Sequence, residues 1–219
     1  MDFEAAFVDV GSTAGDNWVV LQAGRQQLNY GSGRLVSVRE GPNVRQSFDG
    51  AKLKTKAGDW RVDLFATRPD LDKAGFFDNV ADHQTAFWGV YATRALRRVS
   101  IDTYYLGLDR KTATFNRGTA QENRETLGAR LWLPPATRKR EWDFDYEGVW
   151  QFGTFGADGI RAWTFASDTS YSLPSAPLRS RISVKADISS GDDPRHSALG
   201  TFNPIFPIGK PSARAGGRQ

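Results

Sequence analysis

Ten segments of the chain alternate apolar and polar side chains with period two, and Gly, Pro, Asn or Asp fills the intervals between them. They fall at about 3–10, 17–29, 44–56, 60–69, 84–96, 99–110, 124–134, 142–154, 160–172 and 178–189. Successive side chains of a strand point to opposite faces, so each segment predicts a strand with one greasy and one wet side. From 178 to 187, Leu178, Ile182, Val184 and Ala186 share one parity, against Arg179, Arg181, Lys185 and Asp187. From 142 to 152, Trp142, Phe144, Tyr146, Trp150 and Phe152 oppose Asp143, Asp145, Glu147 and Gln151. Trp60, Val62, Leu64 and Ala66 oppose Arg61, Asp63 and Phe65, while Leu127, Ala129, Leu131 and Leu133 oppose Gly128, Arg130 and Trp132. Segments 87–94 and 160–168 carry aromatic residues on both parities and leave their faces open. No long amphipathic helix interrupts the series, so the expected fold is all-β, an antiparallel meander of about ten strands.

A soluble sandwich alternates as well, with its apolar side inward, so periodicity leaves two architectures open. Strand length and connections favour a membrane barrel. Ala57-Gly58-Asp59, Leu96-Arg97-Arg98, Ala157-Asp158-Gly159 and 174–177 read as short turns, and 30–43, 70–83, 111–123 and 190–198 as long loops. Short turns on one rim and long loops on the other mark outer-membrane barrels. Trp60, Trp142, Trp150 and Trp163 are expected near strand ends, where interfacial girdles place aromatic residues.

Composition narrows the function. The 219 residues contain no Cys, which removes disulfides, thiolate metal sites and cysteine nucleophiles. Only His83 and His196 offer imidazole, each in a polar, loop-like stretch. No run approaches the roughly 18 apolar residues of a spanning helix, whereas strands of about 9–11 residues suffice for a barrel. Met-Asp-Phe-Glu has neither the charged nor the apolar region of an export signal. The excess of 29 basic over 25 acidic residues gives a formal charge of +4. The basic residues lie singly along strands instead of clustering, which suits a lined channel and argues against a nucleic-acid face.

Several motifs, in order and spacing, carry a resemblance. They are the run from Gly24 to Gly50, Gly-Arg-Gln-Gln-Leu-Asn-Tyr-Gly-Ser-Gly-Arg-Leu-Val-Ser-Val-Arg-Glu-Gly-Pro-Asn-Val-Arg-Gln-Ser-Phe-Asp-Gly; Phe87-Trp88-Gly89-Val90-Tyr91; Asp102 to Arg110, Asp-Thr-Tyr-Tyr-Leu-Gly-Leu-Asp-Arg; Glu125-Thr126-Leu127-Gly128; and Leu199 to Pro207, Leu-Gly-Thr-Phe-Asn-Pro-Ile-Phe-Pro. Together the sequence resembles the alginate export family of bacterial outer-membrane porins over about residues 18–208. The resemblance implies a barrel of about eighteen strands whose electropositive lumen passes an acidic polysaccharide across the outer membrane of a Gram-negative bacterium, with outer-membrane lipid around it and periplasmic export components as possible partners. It implies no cofactor. Ten strands are fewer than that, so the chain is expected to be a portion of such a barrel over 1–208 with an irregular tail over 209–219.

Passing a polyuronate calls for weak, repeated attraction, which singly placed Arg and Lys provide and interspersed carboxylates moderate. The expected path residues are Lys52, Lys54, Arg61, Arg130, Arg179, Arg181 and Lys185, moderated by Asp63, Asp143, Asp145, Glu147 and Asp187. Arg25, Arg45 and Asp49 join them because they lie in or beside the most recognisable block. The stretch from Arg34 to Arg45 folds inward as a constriction or lies exposed; the sequence allows both. Asp143, Asp145 and Glu147 stand two residues apart, about 6.5–7 Å between Cα atoms, which overlaps the carboxyl separation of inverting glycosidases. A wet lumen offers no desolvated pocket to keep one of them protonated, so no enzyme is expected. Asp187, Asp192 and Asp193 beside Ser189-Ser190-Gly191 do not form an EF-hand pattern and read as solvated loop acids. The competing function is a soluble or periplasmic β-sheet module that binds acidic glycans on its charged face.

Overall fold

The computed structural model describes residues 3–38, 45–71, 79–133, 142–173, 180–193, 195 and 197–208. Among them the regular structure is one antiparallel sheet: β1 (Ala6–Ala14), β2 (Asn17–Gln26), β3 (Phe48–Ala57), β4 (Trp60–Leu71), β5 (Val80–Ala81), β6 (Thr85–Ala95), β7 (Ser100–Phe115), β8 (Gly118–Leu133), β9 (Trp142–Phe155), β10 (Asp158–Ser172) and β11 (Arg181–Ser189). Apart from the two-residue β5, which pairs only with β4, each strand lies beside its sequence neighbours. All ten expected strands are present in the expected meander. The sheet is not closed, since β1 and β11 each leave one edge unpaired among the described residues, and it fits a part of a larger barrel.

Local chemistry sets the hairpins. Gly15-Asp16, Gly58-Asp59 and Gly156-Ala157 are two-residue turns whose first residue has φ of 61°, 56° and 58°, which glycine adopts without steric cost. The expected long loop at 111–123 is not there. Strands β7 and β8 run on through it and meet at Asn116-Arg117, with an irregular register between Arg110 and Ala113. The rim that carries the long segments 27–47, 72–84 and 190–208 therefore also carries two tight turns, at 116–117 and 156–157, so the contrast between rims is weaker than the sequence suggests. Trp60 and Trp142 do begin their strands, but Trp150 and Trp163 pair with each other in the body of β9 and β10.

The pleat resolves the ambiguous segments. Phe87 and Tyr91 of β6 are buried on one face, with Trp88, Val90 and Ala92 on the other; Ile160, Ala162 and Ala166 of β10 point in, with Trp163 and Phe165 exposed. The outward face presents Val10, Leu21, Leu53, Leu64, Leu127, Leu131, Trp150, Phe165 and Val184 in the open.

The sheet curls around two inserted pieces of chain. Residues 27–38 and 199–208 lie against its inner face and against each other, joined by a parallel bridge at Val36 and Phe206 with Ser37 N–H to Phe206 C=O at 2.8 Å and Phe206 N–H to Leu35 C=O at 2.8 Å. A turn closed by Gly33 N–H to Tyr30 C=O at 3.0 Å brings Tyr30 into contact with Asp63 on β4, while Arg34 reaches Asp187 on β11. In a flat sheet, β4 and β11 would stand six strand spacings apart, about 29 Å. A closed turn cannot span that distance, so the two ends of the sheet must bend toward each other. The core fills the space enclosed: Leu28, Leu35, Val36 and Ile205 from the inserts pack on Phe48, Phe65, Phe87, Tyr91, Tyr104, Leu106, Leu108 and Val149 from the strands.

Gly128 marks one close approach. A β-carbon there would fall 2.1 Å from the ring of Tyr104, which is buried and whose hydroxyl donates to Glu147 at 2.7 Å. We expect Gly128→Val to destabilise the fold by roughly 1–3 kcal/mol through overpacking, seen as a lower urea midpoint. Gly148→Ala, where the nearest atom is 3.9 Å away, is the control and should shift the midpoint little.

Candidate functional site

The inner face carries the chemistry. Three tyrosine hydroxyls each donate to a carboxylate: Tyr30 to Asp63 at 3.2 Å, Tyr91 to Asp102 at 2.9 Å, and Tyr104 to Glu147 at 2.7 Å. Their rings form a continuous stack, with Tyr30 on Phe65 at 5.6 Å, Tyr30 on Tyr91 at 4.7 Å and Tyr91 on Tyr104 at 5.3 Å. Alternation produces this belt. Asp63 and Phe65 share the inward parity of β4, Tyr91 and Thr93 that of β6, Asp102 and Tyr104 that of β7, and Asp143, Asp145 and Glu147 that of β9.

Arg130 on β8 ties the belt together. Its guanidinium donates to both oxygens of Asp145, at 2.7 and 2.6 Å, and to Asp102 at 3.0 Å. The fork geometry of Arg suits that double contact, and the low-dielectric surroundings strengthen it. Asp102 also accepts from Thr93 at 2.8 Å. Glu147 receives Ser32 at 3.5 Å and lies 3.7 Å from Arg34, so the insert touches the same network.

Toward β11 the charges are matched one to one: Arg181 with Asp143 at 2.5 Å, Lys185 with Asp168 at 2.7 Å, and Asp187 with Arg34 at 2.8 Å. Toward β1 they are not. Lys54 reaches Asp9 at 3.3 Å, but Lys52, Lys56 and Arg61, which share its inward parity across β3 and β4, have no ion-pair partner among the described residues. Lys52, Lys54, Lys56 and Arg61 thus form a strip of excess positive charge, with Asp63 and Tyr30 at its edge.

Of the residues expected along a path, Lys52, Lys54, Arg61, Asp63, Arg130, Asp143, Asp145, Glu147, Arg181, Lys185 and Asp187 lie on this face. Arg25 and Asp49 do not. They pair with each other, Nε to Oδ1 at 2.8 Å and Nη2 to Oδ2 at 2.8 Å, on the parity of Leu21 and Leu53, because the register Arg25↔Asp49 falls one residue from the buried Gln26↔Phe48 pair. Arg45 is exposed ahead of β3, and Arg179 lies outside the described residues. The stretch from Arg34 folds inward as far as residue 38; residues 39–44 lie outside the described residues. The tyrosines and Asp102 were missed as site residues. Their signal was the alternation Asp102, Tyr104, Leu106 within β7, where an acid beside an aromatic on the buried parity needs a partner.

Two further clusters fix the insert 199–208. Arg124, fully buried, donates to Glu122 at 2.6 Å, Gln151 at 2.8 Å and the Thr201 carbonyl at 3.3 Å, with Arg110 completing the pair with Glu122. Gln151 donates to the Asn203 carbonyl at 2.7 Å and accepts its N–H at 2.9 Å. At the rim, Arg117 donates to Asp192 at 2.8 Å and to the Ser197 and Asp193 carbonyls, both at 3.0 Å. These contacts occupy the loop acids: Asp192 holds Arg117 and Asp193 holds Arg195, the latter at 2.9 Å. A depression of about 930 Å³ lies on the outer face among Leu127, Ala129, Trp150 and Trp163, without a charged side chain, and is unsuited to a polar cargo.

The profile of the alginate export family matches residues 1–218. The chain belongs to the alginate export family. No curated protein and no solved structure matches it. The alginate export family is a transport family of the outer membrane of Gram-negative bacteria, and the all-β meander fits its porin barrels. Each carboxylate weighed for catalysis is engaged: Asp143 by Arg181, Asp145 by Arg130 and Glu147 by Tyr104.

Arg130→Met should destabilise the protein by on the order of 3 kcal/mol, because it strands two carboxylates that are largely shielded from water; adding Asp102→Asn should restore part of the loss in the urea midpoint. At the rim, the hydrogen bond from Arg117, with the Gly200 N–H, holds the Asp192 carboxyl below its ordinary range. A depressed folded-state value stabilises the clasp above the unfolded aspartate value of about 4 and loses that contribution as pH falls through the folded value. Hydrogen exchange at Gly200 should therefore quicken in acid, and Arg117→Ala should abolish that acid step.

Proposed function

We propose that the chain forms part of the wall of an outer-membrane channel that passes an anionic, alginate-like polysaccharide, with its apolar outer face against lipid and its charged inner face toward the cargo. The observation that carries this reading is the unmatched strip Lys52, Lys56 and Arg61, with Lys54, on the inner face of β3 and β4. Elsewhere on the inner wall, cations sit beside carboxylates and have little attraction to spare. Lysine is a compact, strongly hydrated charge on a flexible stem, so it attracts a carboxylate without gripping it as an Arg fork does. A row of such charges lowers the barrier to entry and still lets the chain move on, which is what conduction requires. Asp63 beside Lys52 prevents the strip from becoming a trap. The outer face supports the membrane setting: a contiguous set of large side chains from Val10 to Val184 lies in water unless lipid covers it.

The test is electrical. With the closed barrel that contains this chain in planar bilayers, Lys52→Gln, Lys56→Gln and Arg61→Gln together should lower anion preference and weaken block by oligouronate roughly tenfold, taking about 0.5 kcal/mol for each solvated contact. Unchanged selectivity in an inserted channel would sink the assignment of this strip. A protein that remains folded and monomeric in plain buffer without detergent would instead support the soluble glycan-binding module.

A further inference from the structure

The aromatic stack ends on a side chain that does not belong to the wall. Phe65, Tyr91 and Tyr104 come from β4, β6 and β7, whereas Tyr30 comes from the insert and lies nearly parallel on two of them, at 20° to Phe65 and 16° to Tyr91. Its hydroxyl donates to Asp63, and Lys52 and Lys54 stand next to that carboxylate on β3. A β-carbon on its neighbour Gly31 would fall 2.9 Å from the Tyr91 hydroxyl and 3.7 Å from the Arg130 side chain, so the insert passes close to both. A flat six-membered ring is thus held by its face on aromatic rings, by a rim hydroxyl on a carboxylate, and within reach of two ammonium groups.

A pyranose ring meets the same requirements. One face of a sugar presents C–H bonds whose positive edges suit the negative face of an aromatic ring, and its equatorial hydroxyls donate to carboxylates. A uronate adds a carboxylate, for which Lys52 and Lys54 are the neighbouring partners. We propose that the wall formed by Phe65, Tyr91 and Asp63 is a stacking subsite for one pyranose unit of the cargo, and that Tyr30 occupies it in the resting state as an internal mimic. This rests on the channel reading above and names where on that wall a sugar docks. Occupation by Tyr30 blocks the subsite until a sugar displaces it; the insert is then held by its remaining contacts, the Val36–Phe206 bridge and the Arg34 pairs.

The subsite differs from the lysine strip in what it recognises. Stacking and hydroxyl contacts do not need a charged sugar, so the subsite takes neutral and acidic pyranose units alike, while preference for the acid comes from the lysines. That difference separates the two tests. Single-channel block is measured with an oligomannuronate and with a neutral maltohexaose, in bilayers, on the closed barrel that contains this chain, for the native protein, Tyr30→Ala, Tyr30→Phe and Tyr30→Ala/Tyr91→Ala. Tyr30→Ala frees the subsite and should tighten block by both sugars about three- to tenfold, the worth of one stacking contact. Tyr30→Phe keeps the stack and should gain much less, and removing Tyr91 as well should erase the gain. A gain for both sugars with no native preference for the acid leaves the subsite standing and overturns the anionic cargo. No gain for either sugar, in channels that conduct and retain their β-sheet circular dichroism, overturns the subsite whatever the ion selectivity. A gain that survives loss of Tyr91 also overturns it, since the insert would then act as a simple obstruction.

Discussion

Everything on the inner wall depends on the two inserts that fill the bend of the sheet. An antiparallel sheet of long strands has no intrinsic reason to curl tightly enough for β4 and β11 to meet across one turn of chain. The inserts supply that reason. Leu28, Leu35, Val36 and Ile205 bring apolar surface that only a curved sheet can bury on all sides, and the Tyr30 stack with the Arg34 pairs fixes the curvature at both ends. Once the sheet is bent, its inward parity is shielded, and Asp102, Glu147 and Arg130 become expensive to leave without partners. The dense pairing of the belt follows from the packing of the insert.

That order of causes explains what the sequence disclosed. Strand positions were readable because alternation is local, and each strand needs only its own residues to declare its faces. The two ambiguous strands show the limit. Trp88 and Phe87, or Trp163 and Ile160, are equally apolar, and which points inward is fixed by register with neighbours whose parity is clear, Phe65 beside Gly89 and Gln151 beside Ala162. The same rule misplaced Arg25 and Asp49. They lie in a recognisable block, but one residue of register moves a pair from the inner face to the outer, and Gln26 with Phe48 claims the inner position. The loop expected at 111–123 failed for a related reason. Its polar residues were read as punctuation, yet Glu122 is polar because it holds Arg110 and Arg124, which end the flanking expected strands, and meets the distant Asn203 inside the fold. The tyrosine belt was illegible for the same cause: its members come from β4, β6, β7 and an insert, and no local pattern announces that their rings will meet.

The charges on the inner wall divide into two kinds that composition cannot separate. A cation placed between two carboxylates, as Arg130 is, contributes specificity to the fold and presents little net field to a passing chain. A cation outside ion-pair distance of any carboxylate among the described residues, as Lys52, Lys56 and Arg61 are, contributes little to the fold and leaves more of its field to an anion, Lys52 less than the other two because Asp63 lies near it. Residue type follows that division. The matched positions are mostly Arg, whose planar fork gains from fixed geometry, and the unmatched strip is mostly Lys, whose hydrated head gains nothing from it.

The two kinds meet at Asp63. It accepts from Tyr30 on one side and adjoins Lys52 and Lys54 on the other, so it belongs both to the belt that holds the insert and to the strip that draws an anion. A carboxylate chain arriving on the lysines competes with Asp63 for their field, and a ring arriving on the wall competes with Tyr30 for Asp63. Those two competitions share one residue, so arrival of cargo and release of the insert are coupled through it: whatever loosens Asp63 from the lysines leaves it freer to accept from a sugar, and whatever removes Tyr30 leaves it freer to pair with them. Linkage makes such coupling reciprocal. On the proposed subsite, an insert held in place by the wall's own binding groups would be displaced by a molecule those groups can bind, and an ion lacking a ring would gain the attraction of the strip without the means to take the subsite.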